Sequence, residues 1–226
     1  GFLDEPYGPP PAGPRAIISP GAIAAAKSSG LTAINTTIPG GDEFENAVAA
    51  IGRYDAFIRA NANDLLKVHT TDDIRRAKAE RKVGIIYGFQ NATMVGDKAE
   101  RVDVFADLGM RCIQLTYNLR NSLGSGAMDT ADQGLTPFGR EVVARLNARR
   151  VMVDLSHSAR QICLDAARAS TTPISINHTG CRALSDVPRN KTDEELKLVA
   201  DRGGFVGIYF MMFLARGREA TIDDVV

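Results

Sequence analysis

The chain has 226 residues, 44% hydrophobic and 24% charged, and its 27 lysines and arginines balance 27 aspartates and glutamates. A chain this apolar and without net charge buries enough surface to offset the entropy of ordering, which excludes disorder, and the charge balance argues against a nucleic-acid binder relying on a general basic field. No window approaches the roughly 18 to 20 consecutive apolar residues of a membrane span, and the start, Gly1-Phe2-Leu3-Asp4-Glu5, has neither the basic nor the apolar region of a signal peptide.

Six of the ten prolines fall in residues 1–20, which predicts a proline-rich surface loop there. Ser19-Pro20 reads as an N-cap followed by proline at the first helical position, with an alanine-rich helix from Ala22 to Ser29 stopped by Gly30. The β-branched run 31–38 predicts a strand ending at Pro39-Gly40-Gly41. Asp42 and Glu45 have capping-box spacing before a helix whose apolar face carries Phe44, Val48, Ile51 and Ile58. After a charged stretch around 72–82, residues 83–89 form a nearly continuous apolar run, as in a strand covered on both faces.

The alternation then repeats. A helix over 99–108 precedes a strand over 111–117. Thr136 caps a helix opening at Pro137, and a strand over 151–155 follows. A helix over 159–169 leads to a strand over 173–177; Thr192 with Glu195 caps a helix that ends at Gly203-Gly204, before a strand over 205–210. Residues 221–226 read as the first turn of another helix. Six strands with intervening helices imply a parallel sheet. The expected fold is an α/β (β/α)8 TIM-type barrel forming one domain over 1–226, incomplete because the first and last elements are missing. An open doubly wound sheet is the competing topology.

Parallel α/β folds place chemistry at the carboxyl ends of their strands. Those ends carry Gln90-Asn91, Tyr117-Asn118, Ser156-His157 and Asn177-His178. Two of the three histidines thus stand at equivalent ends of successive strands, where two imidazoles can converge on a metal ion. His69 lies before a helix cap at Thr70 or Thr71 and reads as a surface residue. Arg189, in a loop after Asp186-Val187-Pro188, is suited to clamp a carboxylate or phosphate, and Arg120 occupies a comparable loop. Gly124-Ser125-Gly126 has no accompanying lysine or strand-to-helix junction and reads as a flexible loop. Cys112, Cys163 and Cys181 are too few and too scattered for a disulfide framework or a CxxC metal knot; each reads as a small buried hydrophobe.

Val153-Asp154-Leu155-Ser156-His157, the run 173–184 through Asn177-His178-Thr179-Gly180, and Pro188-Arg189-Asn190 together resemble the membrane dipeptidase (renal dipeptidase) family of zinc peptidases. The resemblance extends back through Gly88-Phe89-Gln90-Asn91 and Gln114-Leu115-Thr116-Tyr117-Asn118, forward to 203–208, and covers roughly residues 30–226. It implies a (β/α)8 barrel with two zinc ions that share a carboxylate and a water, which attacks a dipeptide bond. His157 and His178 match the family's two histidines on one zinc, and Arg189 matches the arginine facing the substrate carboxylate.

This chain departs from the family pattern, like a divergent bacterial-type member. Gln90 stands where the bridging glutamate belongs, which weakens a second zinc site, and Tyr117 stands where mammalian enzymes have a substrate-contacting histidine. The His-x-Asp pair of the first strand has no counterpart, and the last-strand aspartate would lie beyond Val226. The expectations are therefore His157 and His178 as metal ligands, and Arg189, Tyr117, Asn118 and Gln90 as substrate-binding residues. One or two zinc ions and a small peptide or peptide-like substrate accompany them. A soluble cytoplasmic or periplasmic chain is expected, with no nucleic-acid partner and no membrane span, and free to pair as a homodimer. Two activities fit: a metal-dependent hydrolase of dipeptides or related small amides, and a metal-poor barrel that binds a peptide-like ligand or performs a non-hydrolytic maturation step.

Overall fold

In the computed structural model, residues 18–39, 41, 43–215 and 218–225 are described. Seven parallel strands form one sheet: β1 (Ala33–Thr37), β2 (Leu65–Lys67), β3 (Val83–Phe89), β4 (Met110–Gln114), β5 (Met152–Asp154), β6 (Ser175–Thr179) and β7 (Phe205–Ile208). Helices α1 (Pro20–Ser28), α2 (Phe44–Ala60), α3 (Thr71–Ala79), α4 (Arg101–Asp107), α5 (Pro137–Ala148), α6 (Arg160–Ala169) and α7 (Asp193–Asp201) alternate with them. Six strands pair in the order β1-β3-β4-β5-β6-β7, and β2 pairs with the first half of β3. The order follows the chain without reversing direction, which is the winding of an incomplete (β/α) barrel. A doubly wound sheet needs a switch point and has none here.

The expected strands are recovered with shifted ends. β3 begins and ends as the apolar run predicts. β2 is new: its three residues are too few to register as a periodic pattern. The strand expected at 173–177 lies two residues later, so Asn177 is interior to β6 rather than its last residue, and His178 sits inside the strand rather than beyond it. Most of the predicted loop over 1–20 lies outside the described residues; at its end Ser19 accepts a hydrogen bond from the Ala22 amide and Pro20 opens α1. Asp42, expected to cap α2, also lies outside the described residues, and the N-cap position is Glu43, whose side chain makes no capping bond. The final turn is a 3-10 turn over Ile222–Asp224.

The core forms where one face of the sheet meets the helices. Ile85, Tyr87 and Phe89 of β3 alternate toward it, as do Ile113 of β4, Val153 of β5 and Ile176 of β6. Phe105 of α4 anchors one end, its ring 5.0 Å from Phe89 and 5.2 Å from Phe44. Part of the opposite face is polar: Asn35, Cys112 and Asn177 approach one another there, and a β-carbon on Gly88 would stand 2.5 Å from the Asn35 side-chain oxygen, while Ile86 joins a second apolar cluster with Leu66, Val68 and Ala77. All three cysteines are free thiols; Cys112 and Cys163 are buried and Cys181 is half-buried. Among the described residues no helix is long and apolar enough to cross a membrane.

Caps set the helix starts that aim the strand ends. Thr136 accepts a hydrogen bond from the Gly139 amide at 2.9 Å and donates to the Ser122 carbonyl at 2.8 Å, tying the start of α5 to the loop after β4. Thr136→Ala is expected to cost about 1 to 2 kcal/mol in urea-induced unfolding, the usual loss for a removed N-cap. An unchanged midpoint would show that the cap is dispensable.

Candidate metal and ligand site

The site grows from the carboxyl ends of β3, β4, β5 and β6. His157 follows β5 and is only 6% exposed. Its Nε2 lies 2.9 Å from Nε2 of His178, with the rings inclined at 67°. The two histidines read as a pair in the sequence are therefore brought together.

Two residues after β4 hold the first imidazole. Asn118 Oδ1 is 2.8 Å from His157 Nδ1, so an acceptor faces that nitrogen and draws the ring proton to it. Tyr117, 40% exposed, stacks on the same ring with centroids 4.0 Å apart. Gln90, at the end of β3, places its side-chain amide nitrogen 3.3 Å from His178 Nε2. With Asn118 accepting the Nδ1 proton, His157 Nε2 presents a lone pair toward Nε2 of His178, which the Gln90 amide nitrogen also contacts; a cation between the rings would take a lone pair from each. Nitrogens sharing one tetrahedral zinc lie roughly 3.4 Å apart, so a small opening of the 2.9 Å pair admits the ion. Burial pushes the His157 pKa down to about 2, with the Arg189 charge adding to the effect. Burial also lowers that of His178, against the opposing pull of Asp154. Both rings are thereby kept in the neutral form that ligates metals. Beyond this pair, no group of three or more His, Cys, Asp or Glu positioned to hold a metal occurs among the described residues.

A buried frame supports the pair. Asp154, 3% exposed, accepts hydrogen bonds at one oxygen from the Ser156 amide, the Ser156 hydroxyl and the Asn177 amide. The Ser156 hydroxyl oxygen accepts from the His178 amide at 3.1 Å. Gln114 donates to the carbonyls of Gln90 and Thr116, leaving its own buried oxygen without a partner. Lys191, fully buried, reaches Glu195 at 3.3 Å and donates to the Ser158 carbonyl. Sequence reasoning assigned no role to Asp154, Ser156, Gln114 or Lys191. The available signal was a carboxylate at the end of an apolar strand, where an unsupported charge is costly.

Arg189 is brought to the same place. It is 4% exposed, donates to the Ser156 carbonyl and lies 5.7 Å from the Tyr209 ring centroid. It forms no ion pair with a carboxylate of the described residues. A cavity of about 200 Å³ opens beside Gln90 and Tyr117, with Ile38, Pro39 and Met94 among its walls. The other candidates lie elsewhere. His69 is exposed before α3, and Arg120 bonds to Asp129, Gln133 and the Ala131 carbonyl within its own loop.

The flexible-loop reading of Gly124-Ser125-Gly126 is corrected. Ser125 and Gly126 are buried, Gly126 bridges to Ser158, and the Ala127 amide donates to the His157 carbonyl at 2.7 Å. A β-carbon on Gly126 would stand 2.4 Å from the Asn118 carbonyl oxygen, so the close approach needs glycine. The segment packs against the site because its backbone groups bond to the residues around His157.

Comparison with known proteins supplies the relationship. A family model described as "Membrane dipeptidase (Peptidase family M19)" matches residues 21–226. An uncharacterized dipeptidase of Schizosaccharomyces pombe is 30% identical over 170 residues, covering 72% of this chain and 41% of that protein. The crystal structure of an amidohydrolase from Pseudomonas aeruginosa superposes with a TM-score of 0.85 at 41% identity, covering 90% of this chain and 62% of that one. A metallo peptidase from Rhodobacter sphaeroides, liganded with a phosphinate mimic of the dipeptide L-Ala-D-Ala, superposes with a TM-score of 0.73 at 25% identity, covering 89% and 62%. This chain thus spans less than two thirds of each of these relatives. With the barrel winding, the paired histidines and a family match running from α1 to the C-terminal residue, the chain belongs to the membrane dipeptidase family.

Proposed function

We propose that the protein is a metal-dependent hydrolase of dipeptides or related small amides, with His157 and His178 holding one zinc ion. The observation that carries this reading is the 2.9 Å approach of the two Nε2 atoms, with Asn118 at Nδ1 leaving the His157 Nε2 lone pair facing His178. A zinc ion bound there would polarise an amide carbonyl and acidify water. The protein's own residues supply the rest. Asn118 and Tyr117 hold the His157 ring, and Arg189 receives the substrate's carboxylate. The cavity beside Gln90 and Tyr117 accepts a side chain of the substrate. The relative bound to a mimic of L-Ala-D-Ala supports a dipeptide as the substrate class.

Gln90 favours a second reading, a barrel that binds a peptide-like ligand without hydrolysing it. Its amide is neutral where two dications would need a shared negative charge, and its nitrogen points at His178. Zinc titration and dipeptide hydrolysis on the intact protein, parent and Gln90→Glu, decide between the two. The hydrolase reading expects one tightly bound zinc per chain and measurable turnover in the parent. Two tight zincs in the parent would overturn the weakening ascribed to Gln90. No zinc in either protein would overturn the zinc-hydrolase reading and favour the binding-only one.

A further inference from the structure

A carboxylate taken out of water is normally paired with a cation. Asp154 is buried at the last position of β5, near enough to Arg189 and His178 to feel their charge but in a direct hydrogen bond with neither. Three donors converge instead on its Oδ1: the Ser156 amide at 3.0 Å, the Ser156 hydroxyl at 2.5 Å and the Asn177 amide at 3.0 Å. Each donor belongs to the residue immediately before His157 or His178. The Ser156 hydroxyl continues the chain of bonds, since it donates to Asp154 and its oxygen accepts from the His178 amide at 3.1 Å.

These bonds hold an irregularity that the site needs. Successive side chains of a regular strand point to opposite faces of the sheet. Asn177 points to the polar face, where it reaches Cys112 Sγ at 3.2 Å, so a regular β6 would send His178 to the helix side. The register between β6 and β7 shifts between Ile176 and Thr179, and His178 meets Gln90 and His157. The same carboxylate fixes the turn that carries His157 out of β5.

We infer that Asp154, acting through Ser156, is a positioning residue that sets the approach of His157 to His178. One oxygen accepts three hydrogen bonds well only when it carries charge or a strong carbonyl dipole, which accounts for a carboxylate whose direct partners are amides and a hydroxyl. The inference rests on the proposed metal site only for its effect on zinc; the placement of the rings is tested separately from metal binding.

The test uses the intact protein with Asp154→Ala, Asp154→Asn and Ser156→Ala, read in two ways. In metal-free protein, ring nitrogen NMR reports the tautomers of His157 and His178, assigned with single histidine variants. In zinc-competition titrations, affinity is read against a chromophoric chelator. Asp154→Ala and Ser156→Ala are expected to shift the ring signals of both histidines and weaken zinc binding roughly 10- to 100-fold, the usual range for outer-shell partners of metal ligands. Asp154→Asn, which keeps an acceptor oxygen, is expected to restore the parent ring signals and bring zinc affinity back to within about threefold of the parent. Unchanged ring signals in Ser156→Ala would overturn the inference, as would asparagine proving as damaging as alanine. If Asp154→Ala does not fold, Ser156→Ala decides, because it leaves the carboxylate in place. If the parent binds no zinc, the functional reading fails, while the ring signals still decide whether Asp154 positions the pair.

Discussion

Replacing His157 with alanine in the intact protein is expected to abolish tight zinc binding and lower dipeptide hydrolysis on the order of a thousandfold, about 4 kcal/mol of lost transition-state stabilisation. The size follows from the geometry. His157 and His178 are the two imidazoles that converge, and no third His, Cys, Asp or Glu joins them among the described residues. A zinc ion left with one imidazole is held by half of that pair. The ring is also the surface on which Tyr117 stacks, so its removal leaves Tyr117 and Asn118 without their shared partner. Equilibrium dialysis with elemental analysis, alongside a hydrolysis assay, measures both effects. Parent-level zinc and turnover in His157→Ala would refute the assignment, provided circular dichroism shows the fold retained.

The second large effect concerns Arg189. Its guanidinium is buried, bonded to the Ser156 carbonyl and stacked near Tyr209, with no carboxylate of its own. A substrate carboxylate reaching it there would gain a charge-assisted contact shielded from water, about 1.5 to 3 kcal/mol. Arg189→Ala is therefore expected to erase a roughly 10- to 100-fold preference for a dipeptide over its C-terminal amide. The ratio between the two ligands is the useful quantity, because the variant also frees the Ser156 carbonyl and lowers absolute affinity for both. Arg189→Lys should recover only part of the preference, since an ammonium cannot reproduce the planar fork. An equal ratio in parent and variant would show that the arginine serves the Ser156 turn and not the ligand.

The parallel winding was readable because alternation of apolar strands and capped helices is strong where both faces of the sheet are covered, as at residues 83–89. β2 escaped because three residues carry no period. The position of β6 was misplaced by two residues because its end is set by side-chain bonds from Asp154 and Ser156, and periodicity does not encode such bonds. The histidine pair was legible from its repetition at strand ends, and the structure brings it to 2.9 Å. The frame beneath the pair was not legible. Gln114, Lys191 and Asp154 each reach a carbonyl or amide more than 20 residues away in sequence, and a buried charge looks locally the same whether it is paired, orphaned or bonded to backbone.

The loop between β4 and α5 bears on how such a protein can be altered. Its backbone is stitched down at two adjacent residues: the Ala127 amide donates to the His157 carbonyl, and the Met128 amide to the Asn118 carbonyl of the loop's own start. Gly126 leaves no room for a side chain against Asn118. Barrel enzymes are commonly retargeted by exchanging the loops above their strands, on the premise that loop and scaffold are separable modules. Here that premise fails for one loop. A graft over residues 115–136 would carry away Tyr117 and Asn118, and with them the grip on the His157 ring, so retargeting should begin at the cavity wall near Ile38 and Met94.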